Sequence, residues 1–430
     1  MINENFLKLL SRHVNVRIIP LAKADDLITE LKNIEKYKFD YLYIDSFSFL
    51  LKSFLLREKF GITVPFICTI HTIAPWSFNY IYAIPLIRKY DIVFAPSMYA
   101  RQSILRISDK LNVHVVPYML DVNHIENIAA DVRKKRCDKY KIISFLGRIV
   151  EGKGIGSLIS CMPDVVKKVK NVRLHIIGPL SSVSTTDLPK SAYVKYLERK
   201  INKLKLKDKI RFLGVRLGDN KYRALASTDL FVNPTVAKEE TFSIANIEAL
   251  SCSLPVIATD WAANNEIIKH GRNGYITGVK SNRKEAKEID IEKASFVITK
   301  VLNDDKLRVG LRKNAIKSVQ TYDYKRIMPV FIKLLKKRKI KEELPRWNSI
   351  KNKMPLDFKD IFTKDAFFFI NFGSEFRAST YNSLFQKMFE KLSSGRSSKN
   401  ISGDGSKKKR PPTPFVDSIR REFISYLTLK

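Results

Sequence analysis

The sequence predicts an α/β protein of two doubly wound, Rossmann-like domains facing a cleft, with an extra C-terminal segment. Three observations carry this. Short β-branched and aromatic runs alternate with helical stretches over the first 120 residues, a polar stretch follows at 121–138, and the alternation then restarts. The chain is 45% hydrophobic and 28% charged over 430 residues, so it can bury cores and is not disordered as a whole.

Each element has its own signal. Phe6, Leu9, Leu10 and Val14 sit at helical spacing, and Val14, Val16 and Ile18 then alternate with polar residues. A helix from Asp25 to Ile34, a strand at Tyr41 to Ile44, a helix from Phe47 to Phe60 and a strand at Val64 to Ile70 follow. Asp91 to Ala95 and Val113 to Val116 read as strands around a helix from Tyr99 to Leu111. After 121–138, expected as a linker, Ile142 to Leu146 reads as a strand, Gly156 to Val169 as a helix and Val172 to Ile177 as a strand. A helix (Ala192 to Leu204), two strands (Ile210 to Leu213, Leu230 to Val232), a helix (Ile244 to Cys252) and a strand (Pro255 to Thr259) complete the series. Residues 139–321 therefore form the second domain, and 322–340 a helix.

One element is missing. A doubly wound domain starts with a central strand whose following loop faces the ligand, whereas residues 1–120 open on a helix. Ala366 to Phe372 is a short, intensely apolar run, followed by Gly373 and by Tyr381, Leu384, Phe385, Met388 and Phe389 at helical spacing. The expectation is that residues 366–390, within an extra segment at 341–392, supply the absent strand–loop–helix in a permuted arrangement. The rival is an appendage beside a domain truncated at its start. Residues 393–413, rich in Gly, Ser and Lys, are expected to be disordered, and 414–430 to form a short helix.

Composition excludes several classes. Four scattered cysteines without a C-x-x-C argue against a disulfide framework or a thiolate zinc site, and suit a reducing cytoplasm. No apolar run approaches the ~20 residues of a membrane-spanning helix. The expected place is cytoplasmic, or peripheral at the inner face of the cell membrane. The net charge is +35, of which +24 falls within residues 131–340. There the lysines alternate with apolar residues, as on a solvated face. No nucleic-acid module is present, so nucleic acid ranks last among partners. An anionic membrane surface remains a candidate partner: Pro75 to Lys89 is aromatic and ends in two cations, and Lys333 to Lys341 is strongly basic.

Two motifs carry chemistry. Gly147-Arg148-Ile149-Val150-Glu151-Gly152-Lys153-Gly154 follows a strand and leads into a helix, placing two cations at one glycine-rich turn. Glu240-Thr241-Phe242-Ser243-Ile244 opens a helix whose N-terminus offers N–H groups to a phosphate. Glu248 lies about one and a half turns into that helix, among apolar neighbours where a carboxylate without a ligand is costly. No two aspartates lie two apart, so a D-x-D metal clamp is missing.

These motifs, in this order, resemble those of the retaining glycosyltransferases of family four, "group 1", which have the GT-B fold. The resemblance spans roughly residues 5 to 340, strong in the second domain and weak in the first. The family's two glutamates, seven residues apart, are matched by Glu240 and Glu248. Its diphosphate-binding Arg/Lys pair is matched by Arg148 and Lys153. Ser251 to Asp260, Asn265 to Ile268, Gly271 to Tyr275 and Ile210 to Gly214 resemble further family segments, and Thr69-Ile70-His71-Thr72 resembles the strand end whose histidine approaches the donor sugar. Departures are Thr241, Ser243, Ala262 and Ala263 where the family often has glycine.

The resemblance implies transfer of a sugar, with retention and without a metal or other cofactor, from a nucleotide-diphospho-sugar donor to a glycan or lipid-linked acceptor. It implies that Arg148, Lys153, Ser243 and Ile244 hold the diphosphate, that Glu248 holds the ribose, and that Glu240, Thr241 and Phe242 hold the sugar. His71 and Glu240 would act at the reacting centre. The alternative is a catalytically inactive relic of the fold that binds nucleotide-sugar or lipid.

Overall fold

Strands form where apolar runs are short and β-branched, and helices where apolar residues recur every three or four positions. The protein is described by a computed structural model that covers residues 6, 9–21, 40–44, 50–71, 83–109, 111–136, 139–180, 192–237, 240–281, 287–336 and 422–429.

The first unit contains β1 (Val14–Leu21), β2 (Tyr41–Ile44), α1 (Leu50–Phe60), β3 (Phe66–Thr69), β4 (Ile92–Ala95), α2 (Met98–Leu105) and β5 (Val113–Val115). β2, β3 and β4 are buried at every position, as parallel strands covered on both faces must be. Below them, the fully buried Arg57 of α1 bonds both carboxylate oxygens of Asp91, at 2.7 and 2.8 Å, and the carbonyl of Leu86. Asp91 also accepts the Phe66 amide at 2.8 Å, which ties the starts of β3 and β4 together. Breaking such a buried pair costs about 3–5 kcal/mol, so it fixes the two strands whose far ends reach the cleft.

α3 (Val122–Lys134) follows, where a linker was expected at 121–138. Its apolar residues Val122, Ile125 and Ala129 share one buried face, whereas Lys134 and Lys135, two of the charges that suggested a linker, are exposed, and Arg133 turns inward to donate to the Cys252 carbonyl. The second unit then runs β6 (Lys141–Leu146), α4 (Ile155–Lys168), β7 (Val172–Ile177), α5 (Ala192–Lys203), β8 (Ile210–Gly214), α6 (Gly218–Ala226), β9 (Leu230–Asn233), α7 (Ile244–Ser251), β10 (Val256–Thr259), α8 (Asn264–Ile267) and β11 (Gly274–Thr277). A small hairpin, β12 (Val279–Ser281) and β13 (Lys287–Ile289), leads to α9 (Ile291–Asn303), α10 (Asp305–Val319) and α11 (Tyr324–Lys336). The last strand is β14 (Glu422–Leu429).

The second sheet is parallel throughout, in the order β11-β10-β9-β6-β7-β8. The order reverses between β6 and β9. A doubly wound sheet opens its ligand crevice at that switch, beyond the C-terminal strand ends. The chain crosses between units twice, and the crossings touch: the Leu120 amide donates to the Tyr322 carbonyl and the Tyr324 amide to the Leu120 carbonyl, both at 3.0 Å. α11 then packs Met328, Phe331 and Leu335 against Tyr41, Tyr43 and Phe94 of the first sheet.

The first sheet has the order β1-β14-β2-β3-β4-β5. β14 lies between β1 and β2 and is antiparallel to both, pairing Val14 with Leu429 and Ile44 with Ile424. The helix expected at 414–430 is therefore a strand over Glu422–Leu429. Half of its residues, Glu-Phe-Ile-Ser-Tyr-Leu-Thr-Leu, are β-branched or aromatic, and the gap between β1 and β2 offers N–H and C=O groups on both sides for it to pair with. Residues 341–392 and 393–413, including the proposed strand–loop–helix at 366–390, lie outside the described residues. Ending the chain at residue 421 should abolish cooperative urea unfolding of the first unit while the second still unfolds cooperatively. An unchanged two-unit transition would show that β14 is dispensable.

Candidate active site

Two loops meet at the switch point of the second sheet: Gly147 to Gly154 beyond β6, and the loop between β9 and α7. Gly154 has φ +70°, and a Cβ there would lie 2.1 Å from the Pro234 carbonyl oxygen, so only glycine lets the loops pack. The Val236 amide donates to the Gly152 carbonyl at 2.9 Å and joins them.

Lys153 from the first loop and Glu240 from the second form an ion pair, Nζ to Oε2 at 2.5 Å, with side chains 19% and 10% exposed. Arg148 is exposed at the rim. Ser243 stands at the N-cap of α7 without making a side-chain cap; its Oγ accepts instead from Asn233 Nδ2 at 3.0 Å. The Ile244 amide donates to the Phe242 carbonyl at 3.0 Å, so a phosphate could take that amide only after this bond opens. A chain of buried amides holds the helix start. Asn233 Nδ2 donates to Asn246 Oδ1, Asn246 Nδ2 to Asn264 Oδ1, and Asn264 Nδ2 to the Thr259 carbonyl, at 2.9 to 3.0 Å. No spacing rule in the sequence singles out these asparagines, because they lie on three separate elements.

Glu248 is 5% exposed. Burial pushes its carboxyl above the usual range, and an ion pair with Lys221 of α6 opposes that shift. Lys221 was not read from the sequence as functional. It sits on a polar helix face, where a lysine signals nothing by itself.

The first unit closes the other side. Beyond β3, His71 Nδ1 is hydrogen-bonded to the Tyr118 hydroxyl, with the rings stacked at 18° and 5.7 Å. Tyr118 meets the edge of Phe242 at 5.2 Å, and Phe242 that of Tyr322 at 5.8 Å. Phe242 is 7% exposed, so it packs between the two units. The Thr241 hydroxyl donates to the His71 carbonyl, and the Thr241 carbonyl accepts from Ser97 Oγ at 2.7 Å. Glu266, in α8, accepts the amides of Met98 and Tyr99 at 2.9 and 2.7 Å. These begin α2, so the carboxylate of one unit caps a helix of the other. Thus the geometry brings Lys153, Glu240, Thr241, Ser243, Glu248 and His71 to one cleft.

Residues 127–318 match the family profile described as Glycosyl transferases group 1. Over these residues the chain is similar to the group 1 glycosyltransferases. Among curated relatives, the chain is 35% identical over 137 residues to an uncharacterized glycosyltransferase of Methanocaldococcus jannaschii, covering 32% of each protein. It is 27% identical over 221 residues to the capsular polysaccharide biosynthesis glycosyltransferase CapM of Staphylococcus aureus, covering 51% of this chain and 50% of that one. The chain thus spans half or less of the length of these relatives. Among solved structures, Anabaena Alr3699/HepE in complex with UDP superimposes with a TM-score of 0.60 at 20% identity, over 73% of this chain and 83% of that one. A glycosyltransferase from Rickettsia africae gives 0.58 at 18%, over 73% and 82%. Both are similar in fold, and the α/β architecture with two sheets is GT-B.

The remaining expectations fall away from the cleft or outside the described residues. Of the run Pro75 to Lys89, residues 75–82 are not described; Arg88 turns inward, 9% exposed, to pair with Glu58 rather than presenting charge to a lipid surface. A cavity of about 440 Å³ lined by His13, Pro329, Ile332, Lys333 and Lys336 belongs to the outer side of α11 and shares no residue with the group 1 motifs. Among the described residues no helix is long and apolar enough to cross a membrane, and no three His, Cys, Asp or Glu side chains group together as a metal site would need.

Glu266→Ala removes the acceptor of both α2 amides, so the radius of gyration from small-angle X-ray scattering should rise. Because each unit keeps its own core, thermal unfolding of the second unit should shift by less than ~0.5 kcal/mol. Scattering identical to that of the unaltered chain would show that the contact does not hold the units together.

Proposed function

We propose that this protein is a retaining glycosyltransferase that moves a sugar from a nucleotide-diphospho-sugar to a glycan or lipid-linked acceptor. The observation that carries the reading is the convergence of Lys153, Glu240 and the buried Glu248 around the start of α7, at the switch point of a unit similar to the group 1 glycosyltransferases. Arg148 and Lys153 neutralise the diphosphate together with the α7 N-terminus. Leaving-group charge is then met by fixed cations and N–H dipoles rather than by a divalent ion. Glu248 accepts the ribose hydroxyls. Glu240 and Thr241 face the donor sugar, while Phe242 positions Thr241 by packing behind it. His71, oriented by Tyr118, lies across the cleft beside the reacting carbon.

The Lys153–Glu240 pair gives the unliganded site a definite first step. The diphosphate displaces Glu240 from Lys153, and the freed carboxylate turns to the sugar hydroxyls. Binding is therefore an exchange of partners and not the filling of an unpaired positive pocket. The relatives favour uridine: Anabaena Alr3699/HepE binds UDP and UDP-glucose, and that preference is proposed for this chain too. The phosphatidyl-myo-inositol mannosyltransferase of Mycolicibacterium smegmatis, 26% identical over 185 residues, makes a lipid-linked acceptor the leading choice.

Arg148→Ala and Lys153→Ala should each weaken binding of a nucleoside diphosphate by about 10- to 100-fold, as loss of a charge-assisted contact of about 1.5–3 kcal/mol predicts. Isothermal titration with UDP, GDP and ADP would measure this, and undiminished affinity in both variants would move the diphosphate elsewhere. In the same titration Glu248→Gln should lose affinity for the free nucleotide. Glu240→Gln should retain it while transfer slows, and the reverse pattern would exchange the two roles.

A further inference from the structure

Lys221 belongs to none of the motifs that mark the donor site, yet it makes an ion pair with the buried Glu248. We propose that Lys221 keeps Glu248 in the form that accepts ribose hydroxyls, and so makes the site select ribonucleotides over deoxyribonucleotides. This inference rests on the reading of Glu248 given above.

The argument begins with what a carboxylate needs at that position. Glu248 lies among Ile247, Ala249 and Leu250, all fully buried. A carboxyl in such surroundings takes up a proton unless a neighbouring charge opposes it. The protonated form donates from one oxygen and loses much of its capacity to accept from two adjacent hydroxyls. Lys221 reaches across from α6, its side chain 21% exposed, and bonds Oε1. Oε2 has no hydrogen-bond partner among the described residues, so the lysine holds one oxygen and leaves the other available to a ligand.

Among the described residues no other charge is paired with the carboxylate. Tyr222, next to Lys221 on α6, and Cys252, at the end of α7, both lie close to it. Burial pushes the phenol and the thiol upward, so both are neutral and bring no charge. From α3, α8 and α10, which also pack on α7, no charged group acts on Glu248. Lys221 also lies 4.8 Å over the Tyr222 ring, which fixes the direction from which it approaches.

Lys221 is therefore a positioning residue, acting on the nucleotide through Glu248. The structural alternative is a tie between α6 and α7 that happens to lie near the site. The two differ in pH dependence. Burial raises the Glu248 carboxyl and Lys221 opposes that rise, so without Lys221 the carboxyl should take up its proton at a higher pH than in the unaltered chain.

The test is calorimetric titration of the full chain with whichever of UDP, GDP or ADP it binds most tightly, and with the 2′-deoxy and 3′-deoxy forms of the same nucleotide. The ratio of ribo to deoxy affinity cancels the titration of the diphosphate itself. The ratio is followed as a function of pH, and in the unaltered chain it should fall only where Glu248 takes up its proton. In Lys221→Met the fall, about tenfold as loss of one hydrogen bond to a charged group predicts, should set in at a higher pH than in the unaltered chain and reverse as pH rises further. Lys221→Arg should restore the parental profile, and in Glu248→Gln the added Lys221→Met change should leave the ratio unmoved. If Lys221→Met does not fold, Lys221→Gln carries the same expectation. Equal losses for ribo and deoxy forms, or a loss independent of pH, would overturn the inference and leave a tie between helices. No binding of any of the three nucleotides by the unaltered chain would instead remove the reading of the site, and this inference with it.

Discussion

The loop from Glu240 to Ser243 is bound to both units at once, and the arrangement of the cleft follows from that constraint. Its start pairs with Lys153 beyond β6, its Thr241 hydroxyl and carbonyl bond His71 and Ser97 of the other unit, and its end sets the first turn of α7. Four residues cannot satisfy those bonds with the two sheets in an arbitrary orientation. The strand ends bearing His71 and Ser97 must face those bearing Lys153 and Glu240. Behind them, the Arg57–Asp91 pair holds β3 and β4 at their starts, and the asparagine chain holds α7 at its N-terminus.

Electrostatics in the cleft is arranged in pairs. Lys153 answers Glu240 and Lys221 answers Glu248 in a partly dry site, where a lone charge would cost several kcal/mol. In the proposed reading the two pairs differ in what a ligand would do to them. A diphosphate would compete with Glu240 for Lys153, because both are anions. Ribose hydroxyls would not compete with Lys221 for Glu248, because they would donate to an oxygen the lysine leaves open. One pair would be rearranged by binding and the other would stay in place, which suits a flexible sugar and a fixed nucleoside.

Much of this was legible in the sequence. The parallel strands announce themselves because burial on both faces demands continuous apolar runs, as at Tyr41–Ile44 and Val256–Thr259. Arg148, Lys153, Glu240 and Glu248 stand at readable spacings because each follows a strand end or a helix start. Lys221, Tyr118 and Glu266 were not readable, since each acquires its partner only through tertiary contact with an element far away in sequence. α3 was hidden for another reason: its charged face dominates the local composition. β14 was missed because its helix-length run of residues carries no local turn signal. Its partners, Val14 to Leu21 and Tyr41 to Ile44, lie at the opposite end of the chain.

The two contacting crossings between the units set the mechanics of the cleft. Leu120 bonds Tyr322 and Tyr324, and the Val122 amide donates to Asp323 Oδ2 at 3.1 Å, so both connections run through one stitched point. Such a point works as a single pivot, and the Thr241, Ser97 and Glu266 contacts lie on the lips that swing about it. A small rotation at the pivot is then a large displacement at the lips, where all these bonds must release together. In the proposed reading, the loop that would grip the sugar would thereby also be the catch that a donor springs in order to enter.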